Sequence, residues 1–339
     1  MVPGPPQALC FGEALVDRLG PLGADPAAAG AACIDRLGGA PANVACALSR
    51  LGTPSAFVGR LGRDAIGEAF ARVFDARGVD QRALQWDDQR PSRIVLVRRD
   101  ARGDRQFGGF AGDRGDGFAD QALDAGELSA ALGPLLAPAR WLLLGTIPLA
   151  SPAAAQAAWL AVRQAAAAGV AIALDVNWRP TFWAPAADPA APPKAAQVQA
   201  MQPLLQQAQL LKCAAEEAQW LFGSSDPAQL SAALPQRPLV VVTDGAAPLR
   251  WAAGQLAAGS LQPFVVPALD TTGAGDAFIA GLLHQLCGAP ALLSGADAAA
   301  MATAMRFASA CGAMVCQGAG AIDPQPTAAE VNAWLGSRS

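Results

Sequence analysis

Histidine is nearly missing from this chain: His284 is its single copy. That excludes His-based nucleophilic triads and multi-histidine metal sites, which need an imidazole beside other catalytic or ligating groups. Lysine is almost as scarce, with Lys194 and Lys212 the only two among 24 basic residues. Neither follows a glycine, so there is no Walker A loop and a P-loop NTPase is excluded. The seven cysteines are dispersed, without a CxxC pair or metal-ligand spacing. Such a set fits reduced thiols of a cytosolic protein. No strong charge of either sign exists, the net being −4. Nothing therefore marks a nucleic-acid or anionic-membrane surface, and an anionic substrate must be held locally. The N-terminus has no basic residue before Arg18 and no apolar core. A signal peptide is not expected, and the expected location is cytoplasmic.

The chain has 339 residues, 53% of them hydrophobic, with much of that share alanine. This length supports a sizeable core, and the expected organisation is one domain over 1–339. Uncharged stretches at 141–162 and 277–296 are long enough to raise the question of a membrane. Both carry proline, glycine and glutamine, and buried elements of a soluble protein are the better reading.

Chemistry concentrates in Asp270-Thr-Thr-Gly-Ala-Gly-Asp-Ala-Phe278. A β-like segment at 263–269 precedes it, and an apolar helical run at 277–286 follows. Gly273 and Gly275 permit a tight turn close to a ligand. The first turn of a helix has unpaired N–H groups and a partial positive charge, which suits a phosphate. Asp276 is out of place in a pure phosphate cradle, because a carboxylate repels that anion. It makes sense as the base that takes a proton from a hydroxyl undergoing phosphorylation, with the N–H groups of Ala274, Gly275 and Asp276, after the turn at Gly273, as the anion hole. The competing reading is a helix start where Asp276 only complements the dipole. A Rossmann dehydrogenase fits poorly, since the third glycine of GxGxxG is missing.

Along the chain, 8–11 reads as a strand leading to Asp17, whose carboxylate can accept from two neighbouring hydroxyls or be a solvated turn charge. A loop is expected at 21–30. Gly38-Gly-Ala-Pro-Ala-Asn-Val-Ala45 leads into a helix over 42–51, and a second helix follows at 66–77. Segments 93–98 and 104–107 flank a turn at 100–103 as a hairpin, and the glycine-dense 108–117 reads as loosely restrained. Phe107 and Phe110 can cover the face of a bound ligand or simply pack. From 141 the pattern alternates: strands at 141–144, 170–174, 210–213 and 239–243, helices at 153–168, 198–207 and 216–222. Repeated βα units predict a parallel sheet covered on both faces, with ligands beyond the carboxyl ends of the strands. Asp175, Asn177 and Arg179 sit past one such end, with an Arg179–Asp175 ion pair as the structural alternative. A surface loop is expected at 185–194, helices at 306–315 and 327–335, and a turn at 318–321.

The motifs at 38–45 and 270–278 resemble the two signatures of the ribokinase-like (PfkB) sugar kinases. Asp175-Val-Asn-Trp-Arg179 is similar to their fructokinase branch. The resemblance runs from about 9 to 322. It implies an α/β fold: a three-layer α/β/α core with a parallel sheet, and a small β-sheet lid from about 13–37 and 91–117. It implies ATP-dependent phosphorylation of D-fructose, with a kinase for 2-keto-3-deoxygluconate or ribose, or a non-catalytic binding relative, as alternatives. The implied sugar ligands are Asp17, Gly39, Asn43, Asp175 and Arg179. Lys212, Glu217, Thr243, Gly245 and Gly275 would serve ATP, Glu217 acting on Mg2+ through water. Asp270 and Thr272 would cage a monovalent cation such as K+. Two departures stand out: Ala214 replaces the asparagine of Asn-x-x-Glu, and Pro248 replaces the last glycine of Thr-x-Gly-x-x-Gly. Ala111 takes the place of an arginine found in many relatives, with Arg114 as its candidate replacement. A homodimer through the lid sheet is a further expectation of the resemblance.

Overall fold

The computed structural model describes residues 4–28, 30–99, 105–254 and 257–338. Its strands are β1 (Ala8–Phe11), β2 (Leu15–Leu22), β3 (Ile34–Gly38), β4 (Ser55–Gly62), β5 (Asp80–Asp87), β6 (Arg93–Arg99) and β7 (Arg105–Ala111). They continue as β8 (Trp141–Leu144), β9 (Ala171–Asp175), β10 (Leu210–Ala214), β11 (Leu239–Asp244), β12 (Ala247–Ala253) and β13 (Ala257–Leu261). The helices are α1 (Ala40–Leu51), α2 (Ala65–Arg77), α3 (Ala125–Leu136), α4 (Pro152–Ala167), α5 (Pro180–Trp183) and α6 (Ala195–Leu205). After them come α7 (Ala215–Phe222), α8 (Pro227–Ala233), α9 (Ala274–Gly288), α10 (Ala298–Val315) and α11 (Ala328–Gly336).

A nine-stranded sheet runs in the order β13-β12-β11-β10-β9-β8-β1-β4-β5. From β11 to β5 every pairing is parallel, and the β12–β13 hairpin extends one edge antiparallel. Side chains alternate between the two faces of a strand, so both must be covered. Leu9 and Phe11 pack in a cluster with residues of α3, α4, α6, α7 and α8. Ala8 and Cys10 point the other way, into a cluster with α1, α2, α9 and α10. The result is a three-layer α/β/α core. The two long uncharged stretches are not continuous helices: 141–162 forms β8, a 3-10 turn and part of α4, and 277–296 forms α9 and another 3-10 turn. α10 is apolar and long enough by composition to cross a bilayer, yet half of it is buried inside the protein.

A separate four-stranded sheet has the order β3-β2-β6-β7, with β2 and β6 parallel and the outer pairs antiparallel. Leu15, Asp17, Val95 and Val97 of this sheet line a cleft together with residues from the carboxyl ends of the main strands. The turn expected at 100–103 lies outside the described residues.

Two expectations need correction. Residues 263–269 form no strand, and Val265 and Leu269 stand 98% and 73% exposed. Pro263 and Pro267 have no N–H to give a ladder, and β13 is the edge. Residues 108–111 are not loose, because β7 continues through them to pair with β6. The glycine-bearing stretch 59–62, to which no element is assigned from sequence, is the end of buried strand β4.

Candidate active site

α9 begins where Gly273 adopts φ +79° in the left-handed region. A Cβ there would lie 2.5 Å from the Cβ of Ala321, so close approach as well as φ requires glycine. Asp270 sets the shape of this turn. Its Oδ1 accepts the Thr272 amide and its Oδ2 the Gly320 amide, both at 2.9 Å. The amides of Leu269 and Asp270 donate to the Cys316 carbonyl at 2.8 and 3.2 Å. The 270–273 and 316–321 loops are thereby bound side by side. Of the three amides expected in the anion hole, that of Ala274 donates to the Thr271 carbonyl at 3.3 Å. Gly275 and Asp276 belong to the first turn, whose N–H groups have no intrahelical acceptor.

Asp276 lies at the bottom of the cleft, part-exposed to it and enclosed elsewhere. Asn43 Nδ2 donates to its Oδ2 at 2.8 Å. Burial pushes the carboxyl up to about 6, and the Asn43 hydrogen bond opposes that rise. The nearby Asp175 charge raises it further, while Lys212 and Arg179 lower it. Asn43 Oδ1 is buried and has no protein partner, which leaves an acceptor at the cleft. Helix α1 presents Asn43 from its first turn, and the Asn43 amide donates to Gly39 at 2.9 Å. Gly39 has φ +98°, and a Cβ on it would come 2.6 Å from the Glu13 carbonyl.

Two residues missed from sequence brace this helix. Glu13 Oε1 accepts from the Ala40 amide at 3.2 Å. Burial pushes its carboxyl up to about 8. Gln325 Nε2 donates to the carbonyls of Asn43 and Ala321, both at 2.9 Å, tying α1 to the loop that packs on Gly273. The sequence signal for Glu13 is its place in Gly12-Glu13 at a strand end; for Gln325 there is none.

Asp175 is buried at the end of β9. Its cation is Lys212, at 3.0 Å from Oδ1 and 2.8 Å from Oδ2, and not the Arg179 considered from sequence. Arg179 is exposed at the cleft rim, its Nη1 donating to the Trp178 carbonyl at 2.9 Å. Glu217 does not line the cleft: Oε1 takes the Trp178 amide at 2.6 Å and Oε2 the Ala214 amide at 2.7 Å. Thr243 and Gly245 sit at the far end of β11 and do not line the cleft. Asp17, Gly39, Asn43, Asp175, Arg179, Lys212, Thr272, Gly273, Gly275 and Asp276 all line one cavity of ≈ 600 Å³. Phe107 lines it too and meets Phe110 edge-on at 5.1 Å, whereas Ala111 and Arg114 do not reach it. Phe110 instead packs on the buried Arg93, which forms a bidentate pair with Asp120 at 2.8 and 2.9 Å.

The sequence profile of the pfkB family of carbohydrate kinases matches residues 6–328. The chain belongs to this family. Fructokinase-1 of Zea mays is 32% identical over 334 residues, covering 98% of both chains. The Xylella fastidiosa fructokinase with bound ATP superposes with a TM-score of 0.82 at 28% identity, over 98% of this chain and 99% of that one. A double mutant of the Vibrio cholerae O395 fructokinase, bound to fructose, ADP and potassium, gives a TM-score of 0.77. It is 26% identical, with 99% of this chain and 100% of that one covered. The fold is thus ribokinase-like, and the protein is a carbohydrate kinase.

Proposed function

We propose that this kinase transfers the γ-phosphoryl group of ATP to D-fructose, giving fructose 6-phosphate and ADP. The observation that carries the reading is Asp276: a carboxylate with a pKa raised to about 6, at the N-terminal turn of α9, lining the same cavity as Asp17. In this account Asp17 and Asn43 Oδ1 accept sugar hydroxyls. Asp276 accepts the proton of the attacking hydroxyl, and the Gly275 and Asp276 amides hold the phosphoryl oxygens. The apolar wall of Leu15, Val95, Val97 and Phe107 covers the sugar and excludes water, which competes for the phosphoryl group. That wall gives the small sheet the role of a lid.

No group of three or more His, Cys, Asp or Glu able to hold a metal occurs among the described residues. This donor set fits Mg2+ that arrives on the ATP phosphates and keeps much of its water. Mg2+ supplies charge neutralisation across those phosphates. Thr243 and Gly245 extend the nucleotide side beyond the cavity. Glu217, with both oxygens on amides, orders the 176–178 and 212–214 segments beside that site. The carbonyls of the loop that Asp270 shapes are the candidate K+ ligands.

The fructose bound in the Vibrio cholerae relative and the fructokinase names of the relatives support this sugar over others. The test is a coupled ATP assay with a sugar panel. Fructose should give a kcat/KM at least about tenfold above ribose and 2-keto-3-deoxygluconate, the factor worth ~1.4 kcal/mol of discrimination. A higher value for either competitor overturns the assignment of the sugar. The small sheet also offers a homodimer surface, with Leu22 and Ile34 exposed at 60% and 45%. Sedimentation at micromolar concentration tests it, and a monomer there refutes it.

A further inference from the structure

Arginine is almost never buried unless paired, and Arg93 is 4% exposed. It opens β6 of the small sheet, and its partner Asp120 lies on a short 3-10 turn, Ala119–Gln121. That turn packs on β4 and α4, so the ion pair joins the small sheet to the core. Three rings enclose the guanidinium. Its carbon lies 4.4 Å from the ring centroid of Phe118, 4.7 Å from that of Phe182 and 4.8 Å from that of Phe110. Phe110 comes from β7 and meets Phe182 edge-on at 5.1 Å. Phe182 comes from α5, the short helix that follows Arg179. It lines the cleft, and with Arg93 and Asp120 it also lines a small cavity behind that wall. Of the three rings, Phe182 alone reaches the cleft.

We propose that Phe182 is a sugar-contacting residue, and that Arg93, locked by Asp120, is its positioning residue. The inference deepens the kinase reading above and rests on it. A buried ion pair adds little stability over apolar side chains of the same volume. What this one adds is direction: a planar fork bound at both nitrogens to one carboxylate fixes the guanidinium plane. Rings packed on that plane are held with it. Phe182 has no hydrogen bond to give, so it meets the C–H surface of the sugar while Asp17 and Asn43 take hydroxyls. It thereby extends the apolar wall of Leu15, Val95, Val97 and Phe107, although its helix belongs to the core. Arg93 and Phe110 belong to the small sheet, so the ring takes its place when that sheet is seated on the core. Sugar recognition and the seating of the lid share this joint.

The test compares Phe182→Leu, the double variant Arg93→Met with Asp120→Asn, and the triple variant. Arg93→Lys is the fourth protein, keeping the charge and losing the fork. Calorimetry reads the affinity of each for fructose, ribose and 2-keto-3-deoxygluconate, and separately for ATP, after thermal melting has checked folding. Phe182→Leu should weaken the sugar about tenfold and ATP by less than about threefold, tenfold being the low end for one lost hydrocarbon contact in an apolar pocket. The double variant leaves no buried charge unpaired. It should weaken the sugar to a similar extent, and the triple variant no further, because residues acting through one contact do not add. In turnover the loss should fall on the sugar KM ahead of kcat. Wild-type sugar affinity in Phe182→Leu or in the double variant overturns the proposal, as do losses that multiply in the triple variant or that fall on ATP. If the double variant does not fold, Arg93→Lys decides the positioning role, and wild-type sugar affinity in it refutes that role. A chain that binds a sugar but transfers no phosphoryl group to it refutes the kinase reading, while Phe182 is still judged by affinity. A chain that binds no sugar overturns both.

Discussion

The two walls of the cleft are built differently. On the core side, the polar groups brace one another: Asn43 holds Asp276, Lys212 holds Asp175, and Gln325 holds the Asn43 carbonyl. On the small-sheet side, Asp17 on β2 and Gln106 on β7 stand among Leu15, Val95, Val97 and Phe107, in a cavity wall that is chiefly apolar. A braced wall keeps donors and charges aimed without reorganising during reaction, which is what electrostatic stabilisation of a transition state needs. An apolar wall with one carboxylate can grip a sugar and shed water but has little to offer the phosphoryl group. Chemistry should therefore fail when the core side is altered, and recognition when the sheet side is.

The largest expected effect is on the core wall. Asp276→Asn keeps size and one acceptor oxygen but removes the base, so kcat should fall about 10²–10⁴-fold. Calorimetry should find ATP and fructose still bound. A variant with more than a third of wild-type turnover, under conditions where chemistry limits the wild type, would put the base elsewhere.

Asp17→Ala sharpens the comparison from the other wall. Losing a charged acceptor for hydroxyls should cost about 1.5–3 kcal/mol. Steady-state kinetics should show that loss in the sugar KM with the ATP KM little changed. The reverse pattern would remove Asp17 from the sugar site.

A smaller effect concerns the loop beneath the core wall. Potassium should raise turnover more than sodium does, because the 270–273 and 316–321 loops that shape the α9 turn are the candidate cage. Equal rates in potassium and in a bulky organic cation would end that assignment.

A last effect is on stability and leaves turnover aside. Glu13 has its carboxyl raised by burial to about 8, against an ordinary value near 4.5. The fold thus holds that proton more tightly than the unfolded chain. Its contribution is full below the unfolded value and is lost as pH rises through the folded one. Urea unfolding should show stability falling between these limits by at most about 1.4 kcal/mol per pH unit for this one group. Glu13→Gln should remove that slope; an unchanged slope would trace it to other groups.

How much of this was readable beforehand follows a physical line. Short apolar runs such as those of β1, β8 and β11 announce strands buried on both faces, and the glycines of 273 and 275 announce a turn. β4 and β5 hide because glycines and charged residues interrupt them, with burial alternating along β5. Of the residues on contiguous motifs, Gly39, Asn43, Asp175, Arg179, Thr272, Gly273, Gly275 and Asp276 line one cavity, whereas Glu217, Thr243, Gly245, Asp270 and Ala274 do not. Their partners did not declare themselves, because register decides them. Lys212 meets Asp175 since β10 and β9 align those two positions as neighbours, 37 residues apart. Arg179, four residues along the chain, looked nearer and is not the partner. The Asn43–Asp276 bond spans 233 residues and depends on α1 packing beside α9.

The most direct test of the braced core wall is the pH dependence of kcat/KM in the wild type, with Asp276→Asn as control. Asp276 must be ionised to accept a proton, and burial sets its pKa near 6. The account predicts an acid limb centred near that pH, with activity lost as pH falls through it, and no such limb in the residual activity of Asp276→Asn. A wild-type profile flat from pH 5 to 8, or a limb that survives in the variant, would contradict it.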